Sequence, residues 1–203
     1  VGSEMCIRDR NNVYLLLGSI PITENDKLFN RSILINPDGD IISIYDKIHM
    51  FDITLKNGES YRESDFYSPG SELKITKVLG HSVGHTICYD LRYPKLYRAL
   101  AKKGSQIIVV PSAFTHTTGK AHWHSLIKAR AIENGVFILA PNQWGVNNEK
   151  RVTYGHTLIV DPWGETLAEA EDGEMIIAAE LDLNRVRECQ NAIPVLDNDR
   201  NFD

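Results

Sequence analysis

The chain has 203 residues, 42% of them apolar, and carries 22 Lys+Arg against 27 Asp+Glu, a net charge of -5. That length suits one sizeable core or at most two small ones, with no need of disulfide or metal staples. The acidic balance speaks against a general nucleic-acid binder. Cys6, Cys88 and Cys189 are too few and too scattered for a disulfide framework, which points to a reducing, cytoplasmic setting. No apolar run approaches the roughly twenty residues of a membrane span.

Residues 1–10, VGSEMCIRDR, show neither helical nor strand periodicity and are set aside as a non-native or disordered leader. Residues 11–203 then form a single domain. NNVYLLLGSI (11–20) reads as a buried strand ended by Pro21. RSILIN and IISIYDK (31–47) flank a Pro-Asp-Gly turn and predict a hairpin. Residues 48–80 have little period and read as a long ordered loop. SVGHTICYD (82–90) is a strand entering a sharp turn. PKLYRALAKKGS (94–105) is a helix, with Pro94 suited to its first turn and Gly104 to its stop. QIIVVP (106–111) is a strand, KAHWHSLIKARAIENG (120–135) a second helix closed by Gly135, and VFILAP (136–141) another strand. Residues 153–170 give a strand, a Pro-Trp-Gly turn and a return strand. EMIIAAELDL (174–183) reads as the last strand and NRVRECQNAI as a short closing helix. Two strand–helix–strand units between hairpins predict an α/β fold with mixed sheets.

Few residues carry chemistry on position alone. Cys88 ends an apolar strand where the backbone turns, a place that exposes a thiol at a sheet edge; a small buried core residue is the equal alternative. A nucleophilic cysteine needs a positive charge nearby, since a free thiol has a pKa near ~8.5. Lys47 follows a predicted strand and is on its own an edge charge, and Glu63 is one of several acids in a long loop. His122 and His124 point to different helix faces, and His81 and His85 have no partner at ligand spacing, so no metal site is expected. A Cys–His dyad with His116, His122 or His156 stays open.

YDKIHMFD, RESDFYSPG, GHTICYDLRYPKLYRAL, PSAFTHTTGKAHWHSLIKARAIENG and YGHTLIVDPWG, in that order, resemble the nitrilase superfamily of carbon–nitrogen hydrolases, from about residue 28 to about residue 196. Within it the chain is most similar to the amidase branch of deaminated-glutathione amidase and ω-amidase. The resemblance implies a four-layer α-β-β-α sandwich and a Glu–Lys–Cys catalytic set. Cys88 is then the nucleophile, Lys47 the family's lysine and Glu63 its supporting glutamate, with the N–H of Tyr89 in the oxyanion hole. Positions matching Arg92, Phe114 and Thr118 line the substrate pocket, with Arg92 a candidate for a substrate carboxylate. The implied reaction cleaves the linear amide of a small carboxylic acid through a cysteinyl thioester and releases ammonia. It needs no cofactor and no metal.

The small-molecule amide is the expected partner, with no nucleic acid and no membrane. The resemblance also implies a homodimer or higher homo-oligomer through helices 94–103 and 120–134, whose Leu96, Leu100, Trp123 and Ile127 exceed the needs of one sheet face. The family's first glutamate has no match, because only Glu4 and Glu24 precede Lys47. The expectation is an N-terminally truncated amidase that hydrolyses amides poorly. A catalytically silent binding protein on the same fold is the alternative.

Overall fold

The structure, a computed structural model, describes residues 2–55, 58, 60–148 and 151–200. A short helix, α1 (Gly2–Asn11), touches β1 (Leu15–Glu24). Strand β1 pairs antiparallel with β2 (Lys27–Ile35), which pairs with β3 (Ile41–Asp46). A small hairpin follows, β4 (Asp52–Thr54) with β5 (Ser60–Arg62). Then come β6 (Ile75–Val78), β7 (His81–His85), α2 (Pro94–Lys102), β8 (Ile107–Val109), α3 (His116–Asn134) and β9 (Phe137–Ala140). The chain closes with β10 (Trp144–Asn148), β11 (Arg151–Tyr154), β12 (Leu158–Val160), β13 (Thr166–Glu169) and α4 (Asn184–Ala192).

The central sheet has six strands in the order β13-β12-β9-β8-β7-β6. Strands β7, β8 and β9 are parallel, joined by crossovers through α2 and α3, and antiparallel hairpins close both edges. Ile108, Val110, Ile138, Ala140 and Leu158 meet Leu100, Trp123, Ile127 and Ala131 of the two helices in one buried core. Gly135, left-handed at φ +60, stops α3 as its position predicts. Across from the helices lies the three-stranded sheet β1-β2-β3. Polar contacts tie the two sheets: Thr76 Oγ1 donates to Ser43 Oγ at 2.6 Å, and Ser43 Oγ lies 3.5 Å from His85 Nε2.

Several expectations need correction. The first strand does not end at Pro21; it runs to Glu24, with Pro21 opposite Asn30. An edge strand tolerates proline because one side of it has no ladder partner to lose. The predicted loop 48–80 holds β4, β5 and β6. Helix α3 starts at His116, four residues earlier than predicted (120 − 116). EMIIAAELDL forms no strand: 174–183 lacks ladder pairing among the described residues, and Ile176 is 98% exposed. Strand propensity without an adjacent edge leaves extended chain. Leu96, Leu100, Trp123 and Ile127 are 6%, 0%, 0% and 0% exposed, so they fill the chain's own core and offer no dimer face. Residues 2–10 of the segment set aside in the sequence are helical, Asn11 ends that helix rather than opening the strand, and Arg8 is buried.

His85 gives the fold a defined weakness toward acid. Burial, with the charge of Lys74 adding, lowers its pKa from 6.5 to about 4. The unfolded chain therefore takes up a proton between those two values that the folded chain refuses. Stability is intact above pH 6.5 and is lost as pH falls toward 4, by about 3 kcal/mol for a shift of this size. Urea midpoints measured from pH 7 to pH 4 should show this loss, and His85→Asn should flatten the curve over that window.

Candidate active site

One cavity of about 430 Å3 opens between the ends of the two sheets. Its lining includes Asn30, Lys47, Glu63, Cys88, Tyr89, Phe114, Thr118 and Arg151. That volume fits a small metabolite.

Lys47 arrives at the end of β3. Its N–H donates to Asn30 O at 2.9 Å and its carbonyl accepts from Gly70 N at 2.8 Å, so its backbone is held on both sides. The side chain is buried, with Nζ donating to Glu63 Oε2. Glu63 opens a single 3-10 turn after β5. Its Oε2 also accepts from the Phe51 N–H at 2.6 Å, and its Oε1 accepts from Asn30 Nδ2 at 3.0 Å. Three donors from three segments thus fix this carboxylate, and the carboxylate in turn fixes the ammonium. A charged pair so enclosed is tolerable because each partner is hydrogen-bonded.

Cys88 begins a 3-10 turn, Cys88–Arg92, after β7 and the two residues Thr86 and Ile87. It sits at φ +47, a left-handed conformation that non-glycine residues seldom adopt. Its N–H donates to Pro111 O at 3.0 Å. The turn is held by Asp90, which is completely buried. Asp90 Oδ2 accepts from Ile87 N at 2.9 Å and from Tyr45 Oη at 2.7 Å. Its Oδ1 accepts from His49 N at 3.0 Å and lies 2.7 Å from His49 Nδ1. The carboxylate therefore clamps the thiol-bearing turn to the segment that carries Lys47. Burial, together with the charge of Asp90, drives the Tyr45 hydroxyl far above its ordinary pKa, so it serves only as a donor.

The other expected residues divide. Tyr89, Phe114 and Thr118 line the cavity. Arg92 is absent from the lining: its guanidinium lies over the rings of Phe114 (5.2 Å) and Tyr89 (5.9 Å) and reaches His122 Nδ1 at 3.4 Å. Two other arginines do line the cavity: the exposed Arg62, and Arg151, whose Nη2 donates to Ala113 O at 3.2 Å and whose guanidinium carbon lies 6.0 Å from the Tyr61 ring centroid. Arg151 Nε is buried with no partner among the described residues. A lone arginine at a strand start gives no sequence signal, and neither does Asn30. Asp90 lay inside the motif around Cys88, but only burial reveals its work. None of the histidines open to a Cys–His dyad lines the cavity: His122 faces Arg92, His116 packs edge-on against Tyr154, and His156 faces Glu169. Of the cysteines, Cys88 is partly exposed in the cavity, Cys6 is exposed elsewhere, and Cys189 is buried with its thiol pKa raised by that burial.

Comparison with known proteins identifies the family. Residues 5–191 match the family described as carbon-nitrogen hydrolase, a span that includes part of the segment set aside in the sequence. The chain is 40% identical over 195 residues to a deaminated glutathione amidase of Yersinia enterocolitica, covering 94% of this chain and 68% of that protein. It is 38% identical to an omega-amidase of Xenopus tropicalis, covering 90% of this chain and 66% of that one. The chain thus spans about two thirds of the length of these relatives. Among solved structures it is similar to Nit3 of Saccharomyces cerevisiae, a member of branch 10 of the nitrilase superfamily. The TM-score is 0.84 at 34% identity, covering 94% of this chain and 68% of that one. The chain belongs to the carbon–nitrogen hydrolase family of the nitrilase superfamily, on its amidase side.

Proposed function

We propose that the cavity hydrolyses the linear amide of a small carboxylic acid in two steps on Cys88. In the first, the sulfur attacks the amide carbon, the C–N bond breaks, and the thiol proton leaves with the nitrogen as ammonia. In the second, water attacks the thioester, releasing the acid and restoring the thiol. The observation that carries this reading is the convergence of Cys88 with the Lys47–Glu63 pair in one small cavity. The Lys47 ammonium stabilises the negative charge that develops on the carbonyl oxygen, and the Tyr89 N–H is the second donor. Glu63 is a positioning residue, since its oxygens are already engaged by Lys47, Phe51 and Asn30. Phe114 and Thr118 shape the acyl pocket. Arg151, rather than Arg92, is placed to take a second carboxylate, such as that of an ω-amide or a deaminated peptide.

Among the described residues that line the cavity, Glu63 is the sole carboxylate. Expelling ammonia requires an acid at the leaving nitrogen, help typically worth ~10²–10⁴ in rate. A nitrophenolate leaving group requires none. This chain should therefore acylate rapidly with a nitrophenyl ester and only slowly with an ω-amide. The experiment follows nitrophenolate release, ammonia release and the mass of the acylated peptide. An acyl group on Cys88, lost in Cys88→Ser, supports the proposal. Acylation at Cys6 or Cys189 instead, or ligand binding with no acylation at all, overturns it and leaves a binding protein on an amidase fold.

The same reading includes a cytoplasmic location and a homodimer or higher homo-oligomer. Three unpaired cysteines fit a reducing compartment. No helix of the described residues is long and apolar enough to cross a membrane. The exposed Trp144, Val146 and Val152 of β10 and β11 are apolar surface available for association.

A further inference from the structure

We infer that His124, His156 and Glu169 form a site for a divalent transition-metal ion of the zinc class, outside the cavity. One ligand atom from each lies within 4.8 Å of the other two. His124 Nε2 is 2.8 Å and His156 Nδ1 2.9 Å from the same oxygen, Glu169 Oε1. Two imidazole nitrogens and a carboxylate suit zinc, copper or nickel, whereas magnesium and calcium prefer oxygen alone. Three protein ligands leave a fourth tetrahedral position for water.

The three residues come from separate elements, α3, the β11–β12 turn and the end of β13, so sequence spacing gives no hint of them. Their positions are nevertheless locked. His156 is left-handed at φ +56, and its carbonyl accepts from the indole of Trp123 at 2.8 Å. Trp123 is fully buried and directly precedes His124, so one turn of α3 supplies one ligand and anchors the backbone of another. Glu169 pairs with Leu158 in the β12–β13 ladder, which fixes it relative to His156 two residues earlier. Tyr154 packs against both imidazoles, with ring centroids 4.4 Å from His156 and 6.0 Å from His124.

A carboxylate also stands behind His156, just outside hydrogen-bond reach. His156 Nε2, the nitrogen turned away from Glu169, lies 4.0 Å from Asp172 Oδ1, which accepts from Trp144 Nε1 at 3.2 Å. A carboxylate behind a ligating histidine is the usual support for a bound metal. Glu171 and Glu174 add negative charge to the same segment. An ion here would pin α3 to the β11–β12 turn and to β13.

The test titrates the full chain with zinc chloride by calorimetry and with cobalt(II) by absorption. One equivalent should bind, and His124→Ala and Glu169→Gln should each weaken binding at least tenfold. Asp172→Asn should weaken it about tenfold, as an outer partner does. Cys88→Ser should bind as the parent does, and the cobalt spectrum should lack thiolate charge-transfer bands. Far-UV circular dichroism establishes that each variant is folded. Absence of uptake, equal affinity in folded His124→Ala, or a thiolate spectrum that disappears in Cys88→Ser overturns the assignment.

Discussion

Replacing Lys47 with methionine should lower the rate of Cys88 acylation by a nitrophenyl ester by a factor on the order of 10³, the scale for losing one donor to a developing oxyanion. The same change strips the counter-charge from Glu63, whose carboxylate is largely enclosed. Breaking a buried pair from one side costs about 3–5 kcal/mol, because the remaining charge has no partner. The two losses are separable. Adding Glu63→Gln removes the orphaned charge and keeps an acceptor for Phe51 N, so the double variant should regain most of the stability and none of the rate. Urea midpoints and ester kinetics on the four proteins of this cycle decide the matter. A Lys47→Met protein that acylates at the parental rate would remove the lysine from the chemistry, however much stability it lost.

Asp90→Ala should be the most destabilising single change near the site. It would strand the buried hydroxyl of Tyr45 and the N–H groups of Ile87 and His49. Each buried donor left unpaired costs roughly 1–3 kcal/mol, so a loss of about 4 kcal/mol or more is expected. Asp90→Asn is the gentler probe, since the amide keeps one acceptor and turns an NH2 toward donors. It should stay folded at low temperature while Cys88 alkylation slows several-fold, because the φ +47 turn loses its clamp. Alkylation at the parental rate in a folded Asp90→Asn protein would show that the turn holds itself.

The centre of the fold was legible because its signals are local. The runs at 106–111 and 136–141 are too apolar to be anything but buried strands. Pro94 and Gly135 mark helix ends by their own stereochemistry. The turn at 36–40 declares itself through Asn36, Pro37 and Gly39, and the structure closes it with Gly39 N donating to Asn36 O at 3.1 Å. What escaped the sequence depends on partners distant in the chain. Whether 174–183 becomes a strand is decided by a neighbouring edge, and whether Trp123 faces a core or a second subunit is decided by what packs against α3. The site divides in the same way. Lys47, Glu63 and Cys88 were readable only because several motifs in order resemble one family. Arg151, Asn30 and Asp90 act through position alone, and the His124–His156–Glu169 cluster joins residues 45 positions apart.

The reactive groups stand on different halves of the molecule: Lys47 extends from the three-stranded sheet and Cys88 from the six-stranded one. On the proposed mechanism, neither half alone holds both the sulfur and the ammonium that would meet the developing oxyanion. During synthesis the lysine and glutamate emerge first and the cysteine later, and they meet only when the two sheets dock. Docking depends on contacts far apart in sequence, which form late in folding. On the proposed mechanism, a nascent or partly unfolded chain lacks the cavity in which Cys88 would be acylated, and only the assembled molecule provides it. Acylation of the kind proposed would in that sense be gated by folding itself.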